Sequence, residues 1–567
     1  MNSLIETKIQ PFIESQDILG LSIAIVRGGE IVYANGFGMT SVEAETALPV
    51  TQNTIFSLGI TSRTLTTVMV LRLVEQGHLN LDRPIVEYLH GYVFHNNPEW
   101  GQRITLRHLL SETVGSGSGG KGWGPNDPNA LERWCWNEYA HYQFLAEPGK
   151  MPNHGNHPAM AAYLAEVVTG KHFPLLMQEL VFEPLQMTRS TYDRDVAMTY
   201  AVALDHEKDK NGNLRVKHRY LDNPVGNPDF FALSSAHDLA NFTSMLLNQG
   251  QFNDEQILSP ESVQMMSTSH ASYGVSTSSD VRTRMEEGEG FGGIVGQYKG
   301  VPYFGRPAFH GQIINLDLFP SKGLGVILLT NYADSDKRTE LLYSIYDDLL
   351  ETPSNFHYPA PSPTSDDSHK ALWPKHVGRY LMEWGEEVKI WVEDDQLFIE
   401  YEETPYPLTA ISPYAYTFID QNQSRQSLTF IPIEDGPTNN LQASFFACFR
   451  YDPEPDFTPN PTEWQKWQGT YINYQDAYST VGYHIYMEGN SLYVTGPDDA
   501  GKLQIPEAAE GTICTPVGPT KIIYASGMFD FFEDESGQKW LQKDMGFRYR
   551  RIADFKGTGW KINEDIR

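Results

Sequence analysis

The chain is 567 residues long and carries 42 basic against 72 acidic side chains, a formal charge of −30. That balance repels phosphate backbones and anionic lipid surfaces, so neither nucleic acid nor membrane is an expected partner. No stretch reaches the roughly eighteen apolar residues that a spanning helix needs.

The apolar fraction of 40% is enough to fill the cores of about two to four domains. Three widely spaced cysteines, Cys135, Cys448 and Cys514, imply no disulfide framework. The opening residues, Met1 to Lys8, lack a basic region followed by an apolar run, so a cytoplasmic location is expected. Leu21–Val26 and Ile31–Tyr33 read as two apolar strands around the Gly28-Gly29 turn. From Ile60 to Gln76 apolar residues lie on nearly all sides of one helix, which predicts a buried helix, and Gly77 stops it. A glycine-rich loop runs from Gly115 to Gly124. Pro148-Gly149 precedes His154-Gly155-Asn156, and His310-Gly311-Gln312 precedes an alternating strand, Ile313–Phe319. Gly323 to Asn331 reads as a further strand, and Asp336–Leu350 as a closing helix.

In this order the segments resemble the serine β-lactamase and penicillin-binding-protein family, which includes class C β-lactamases, DD-peptidases, D-aminopeptidases and esterases. Leu79 to Pro84 is similar to "LxLDdPV", Ile104 to Gly115 to "ITIRhLLtHTSG", Pro184 to Met187 to "PLGM" and Ser234 to Leu239 to "STAxDLA". The resemblance covers residues 5–350. It implies an α/β (α+β) domain over 1–351, an antiparallel sheet flanked by helices. It also implies three site motifs. The family's Ser-x-x-Lys becomes Ile60-x-x-Arg63. Its Tyr-x-Asn becomes His154-x-Asn156, and its Lys- or His-x-Gly becomes His310-Gly311-Gln312.

Isoleucine has no nucleophilic atom, and arginine stays protonated, so the acyl-enzyme chemistry of the family is not expected here. His154 and His310 are titratable near neutral pH and are the candidate acid–base pair. Arg63 is a candidate clamp for an anionic or enolate group, with Asn156 a hydrogen-bonding partner beside it. Ile60, Thr61, Ser62, Gly311, Gln312 and Trp123 are candidate substrate contacts. Thr61 and Ser62 fall roughly 100° and 200° out of phase with the motif's nucleophile position. Ser118-Gly119-Gly120-Lys121 matches Ser-x-x-Lys in letters but sits in the glycine-rich loop rather than at a helix start. His154 and His157 supply two metal ligands at most, so no metal and no cofactor is expected.

Past the closing helix, residues 352–370 are rich in Pro, Ser and Asp and read as a linker. Two diverged copies of one short-strand pattern follow, over 371–451 and 464–567, separated by a proline-rich linker at 452–463. Gly378-Arg379-Tyr380 opens the first and Gly469-Thr470-Tyr471 the second. Two small antiparallel β-barrels are expected, similar to the lipocalin-like C-terminal domains of some family members. They serve either as a gate over the cleft or as a packing module, with a homodimer one outcome. Three function classes stay open. The first is a non-covalent small-molecule enzyme of the cyclase, isomerase or lyase type in specialised metabolism. The second is a hydrolase with a relocated nucleophile. The third is a binding protein without activity.

Overall fold

The computed structural model describes residues 2–562 apart from 117–126, 219–222, 278–283, 432–439, 451–459, 473–481, 497–511 and several shorter stretches, Gly311 among them. The principal sheet is antiparallel. Its order is Glu30–Gly38, Ile18–Arg27, Leu324–Ala333, Gln312–Phe319, Val301–Gly305, Ile294–Tyr298, Arg284–Glu289 and Ala271–Thr277, with the short strand Ala308–His310 also paired to Gln312–Phe319.

Its central strands are buried on both faces and are largely apolar. On Ile18–Arg27, Ile23 and Ile25 face one core while Ala24 and Val26 face the other. Val326 and Leu328 alternate in the same way with Ile327 and Leu329 on Leu324–Ala333. The helices Asn2–Glu14 and Ser335–Leu350 cover the first face, and Ala236–Leu247 lies on the second.

The helix predicted at Ile60–Gln76 is present as a 3-10 turn, Gly59–Thr61, continuing into Ser62–Glu75. Every residue from Ser62 to Leu71 is buried, as an all-round apolar helix requires. It packs against a second internal helix, His157–Thr169. Together the two fix where the motif residues meet.

Two further sheets follow, with the same strand order. In the first, Gly378–Met382 pairs with both its successor Glu387–Glu393 and the last strand, Phe446–Arg450. In the second, Gly469–Ile472 pairs likewise with Gly482–Glu488 and Phe547–Lys556. The repeat extends to side chains. Tyr380 donates its hydroxyl to the carbonyl of His376 at 2.8 Å, and Tyr471 to that of Trp467 at 2.7 Å. The ring of His376 stacks on Phe430 and that of Trp467 on Phe531.

The first of these sheets rests on the principal domain. Strands Ala415–Ile419 and Arg425–Phe430 lie against Ala271–Thr277, and Ile431 packs with Ala146 and Met151. No helix among the described residues is long and apolar enough to cross a membrane.

Candidate active site

Gly59 takes a φ of +51°, which turns the chain into the helix that carries the first motif. Ile60 follows half-buried, one side on the main core and the other open. One turn on, Arg63 is only 4% exposed. Its Nη1 donates to Glu112 Oε1 at 2.7 Å, and its Nε lies 3.0 Å from Asp229 Oδ1.

Glu112 then ties this helix to the second motif. Its Oε2 accepts the Gly155 N–H at 3.1 Å, and its carbonyl accepts the Asn153 N–H at 2.7 Å. Glu112 holds a φ of +56°, a conformation that costs a non-glycine residue about 1–3 kcal/mol and persists only where surroundings fix it. Burial pushes the Asp229 carboxyl up to about 7, against the opposing pull of Arg63.

His154 is held from the other side. Its Nε2 lies 2.6 Å from Glu289 Oε1, and Glu289 is fully buried. Arg306 Nη2 donates to the second oxygen of Glu289 at 2.7 Å. The Arg306 carbonyl in turn accepts the Thr61 hydroxyl at 2.8 Å. A continuous chain therefore runs from the first motif through Arg306 and Glu289 to the second. A carboxylate paired with arginine is an acceptor, so Nε2–H of His154 donates to it, and in the neutral imidazole of that tautomer the lone pair lies on Nδ1. With its side chain 30% exposed, His154 reaches solvent while its anchor does not.

The anchor depends on a glycine turn. Glu289 ends the strand Arg284–Glu289, and Gly290 to Gly293 follow. Gly292 has a φ of +70°, and a Cβ there would lie 2.2 Å from Thr67 Oγ1 on the motif-one helix. Only glycine lets this turn press so close.

Behind the pair, His157 Nδ1 lies 2.8 Å from the Tyr139 hydroxyl. Burial holds the His157 imidazole down to about 4, so it is neutral near pH 7. A Cβ at Gly155 would meet its ring at 2.7 Å.

Three expected ligand contacts have other partners. Gln312 Nε2 donates to the Ala203 carbonyl at 2.7 Å, and its Oε1 accepts the Ser57 N–H at 2.8 Å, so it staples strands. Thr61 and Ser62 are wholly buried. The Ser62 hydroxyl donates to the Gly59 carbonyl at 2.7 Å and accepts the Ala232 N–H at 3.2 Å. Arg63, expected to clamp a ligand anion, is engaged by two buried carboxylates of the protein. Asn156 is 3% exposed and stands at the N-cap position of His157–Thr169 without a side-chain hydrogen bond to the helix's first turn. His310 ends the strand Ala308–His310, which packs on Gly59–Thr61. The His310 side chain lies outside the described residues, as do Gly311, Trp123, Ser118 and Lys121.

Glu112, Asp229, Glu289 and Arg306 were not among the sequence candidates. Glu112 left a signal, since it stands where "ITIRhLLtHTSG" has its second histidine, and Arg63 stands where the family has lysine. The two replacements form one ion pair. Among the described residues no cluster of three or more His, Cys, Asp or Glu side chains is arranged to hold a metal ion.

A family model described as Beta-lactamase matches residues 5–349. Similar curated proteins include a beta-lactamase of Yersinia enterocolitica, 28% identical over 33% of this chain and 45% of that protein. Penicillin-binding protein 4 of Amycolatopsis lactamdurans is 27% identical over 50% of this chain and 74% of its own length. The chain thus spans under half of the Yersinia enzyme. Among solved structures, the octameric penicillin-binding protein homologue from Pyrococcus abyssi aligns with a TM-score of 0.53 at 23% identity, covering 79% of this chain and 99% of that one. SurE aligns with a TM-score of 0.58 at 19% identity over the same shares.

Proposed function

This chain belongs to the beta-lactamase family, and from that premise we propose that its site performs non-covalent acid–base chemistry on a small-molecule substrate. The reaction class is isomerisation, cyclisation or elimination, as in specialised metabolism. One observation carries the reading: the 2.6 Å His154–Glu289 pair, with Glu289 held by Arg306, is joined through the Arg306 carbonyl to Thr61, next to a motif-one residue that has no nucleophilic atom. A buried carboxylate that orients an exposed imidazole is the arrangement that prepares a general base.

In this reading His154 Nδ1 abstracts or returns the proton. His310 is the candidate partner acid, and Ile60 floors an apolar subsite. Arg63 acts as a positioning residue, joining the helix to the His154 loop through Glu112. Hydroxyl relocation to Thr61 or Ser62 is disfavoured because both oxygens are buried on backbone partners. In the same reading the C-terminal sheets are small antiparallel lipocalin-like barrels over 371–451 and 464–567. Linkers at 352–370 and 452–463 join them to a catalytic unit over 1–351. The protein acts in the cytoplasm.

The test is deuterium wash-in. The wild type is incubated in D2O with pooled small-molecule carbon acids, and incorporation is read by mass spectrometry. Incorporation should fall about a hundred- to ten-thousandfold in His154→Phe. Equal incorporation in wild type, His154→Phe and Glu289→Gln would remove His154 from the chemistry.

A further inference from the structure

His154 lies in a segment, 151–156, with no regular secondary structure. Such a segment does not fix a side chain to the tolerance that proton transfer needs unless it is anchored from outside. One set of anchors has been described: Glu112 holds Asn153 and Gly155 from the helical side. The opposite side is held by a different part of the chain.

Met151 is fully buried, three residues before His154, and its apolar partners are Ala146 and Ile431. Ile431 follows directly on Arg425–Phe430 of the first C-terminal sheet and is itself buried. The same strand, with its neighbour Ala415–Ile419, rests on Ala271–Thr277. Ala271–Thr277 is the edge strand paired to Arg284–Glu289, with Ala271 opposite Glu289. The Glu289 carbonyl accepts the His270 N–H at 2.7 Å, just before that edge strand begins. One surface of the C-terminal sheet thus reaches both halves of the dyad: Met151 on the His154 side and the edge strand on the Glu289 side.

We infer that the first C-terminal sheet is a positioning element of the site, setting the His154–Glu289 pair through Ile431 on Met151 and through the edge strand 271–277. Ile431 and Met151 are positioning residues and touch no reacting atom. The inference rests on the dyad reading of the site, and its consequence is that this sheet is part of the active machinery rather than a separate module. Among the described residues the charged and titratable groups linked to His154 are Glu289, Arg306, His157, Glu112 and Arg63. None of these comes from the C-terminal sheet, whose contacts with this region, among the described residues, are packing contacts.

The test uses the full-length chain labelled with 15N-histidine. The ring nitrogen shifts of His154, assigned by comparison with His154→Phe, report which nitrogen carries the proton. In the wild type the Nε2–H form should dominate. Glu289→Gln should lower the tautomer ratio, because an amide oxygen accepts more weakly than a carboxylate. Ile431→Ala and Met151→Ala should shift the ratio in the same direction. Ile431→Leu should restore it, and Ile431→Val provides a milder truncation if the alanine variant unfolds. An unchanged ratio in folded Ile431→Ala or Ile431→Val, beside a shifted one in Glu289→Gln, would overturn the inference alone. An unchanged ratio in Glu289→Gln would instead remove the dyad reading on which it rests.

Discussion

Arg63 carries its charge into a place almost closed to water, where a guanidinium is tolerated only with carboxylates around it. Arg63→Met leaves Glu112 and Asp229 facing each other without a cation. It should lower stability by about 3–5 kcal/mol, read by urea unfolding. Adding Glu112→Gln to Arg63→Met should recover part of that loss, because the two sites share one interaction.

Asp229 gives this cluster a pH dependence with a definite sign. Its folded pKa, about 7, lies above the ordinary 3.8. Between those values the folded state keeps a proton that the unfolded chain has released. The contribution of Asp229 is therefore full at acid pH and lost as pH rises through about 7. Asp229→Asn should gain stability relative to the wild type across that window, and a flat difference between the two melting curves would contradict it.

At this scale motif spacing marked Ile60, Arg63, His154 and Asn156 as candidates, but not that Arg63 is held by the protein's own carboxylates. Glu289 could not be marked, because its partner lies 135 residues away and nothing distinguishes it from the neighbouring Glu286 and Glu287.

The motif-one helix was readable as an element because burial on all sides forces apolar residues at every phase, and a glycine follows. The repeated C-terminal pattern was readable from Gly378-x-Tyr380 and Gly469-x-Tyr471, whose structural reason is now visible. Each tyrosine reaches back to a carbonyl four residues earlier and seats the first strand on its core. The edge strand Ala271–Thr277 and its neighbour Arg284–Glu289 were not anticipated. Their Glu-, Ser- and Gly-rich sequence lacks the apolar alternation of a half-buried strand, and their pairing partners are set by tertiary contact.

The buried histidines of these elements predict acid sensitivity. Burial lowers His157, His376 and His484 from 6.5 to about 4. Between those values the unfolded chain binds protons that the folded chain refuses. Their contribution is full above 6.5 and is lost as pH falls toward 4. The melting temperature should drop across that window. His376→Phe, which keeps a ring against Phe430, should flatten the drop. An unchanged slope in that variant would show that His376 does not titrate with unfolding.

Across the whole molecule, the principal sheet and the internal helix bring distant segments to one place. Arg63 pairs there with Glu112 and Asp229. His154 pairs with Glu289, which Arg306 holds from behind. Charges closed off from water require such partners. The first C-terminal sheet adds a surface that rests on the edge strand Ala271–Thr277 and on Met151.

The most direct measurement is intact-mass spectrometry of the full chain after prolonged treatment with a fluorophosphonate and, separately, a penicillin. Chemistry without a covalent intermediate predicts an unchanged mass with both reagents, while the deuterium wash-in described above still depends on His154. A stoichiometric adduct mapped to Thr61, Ser62 or Ser118 would contradict the account and place a nucleophile back in the site.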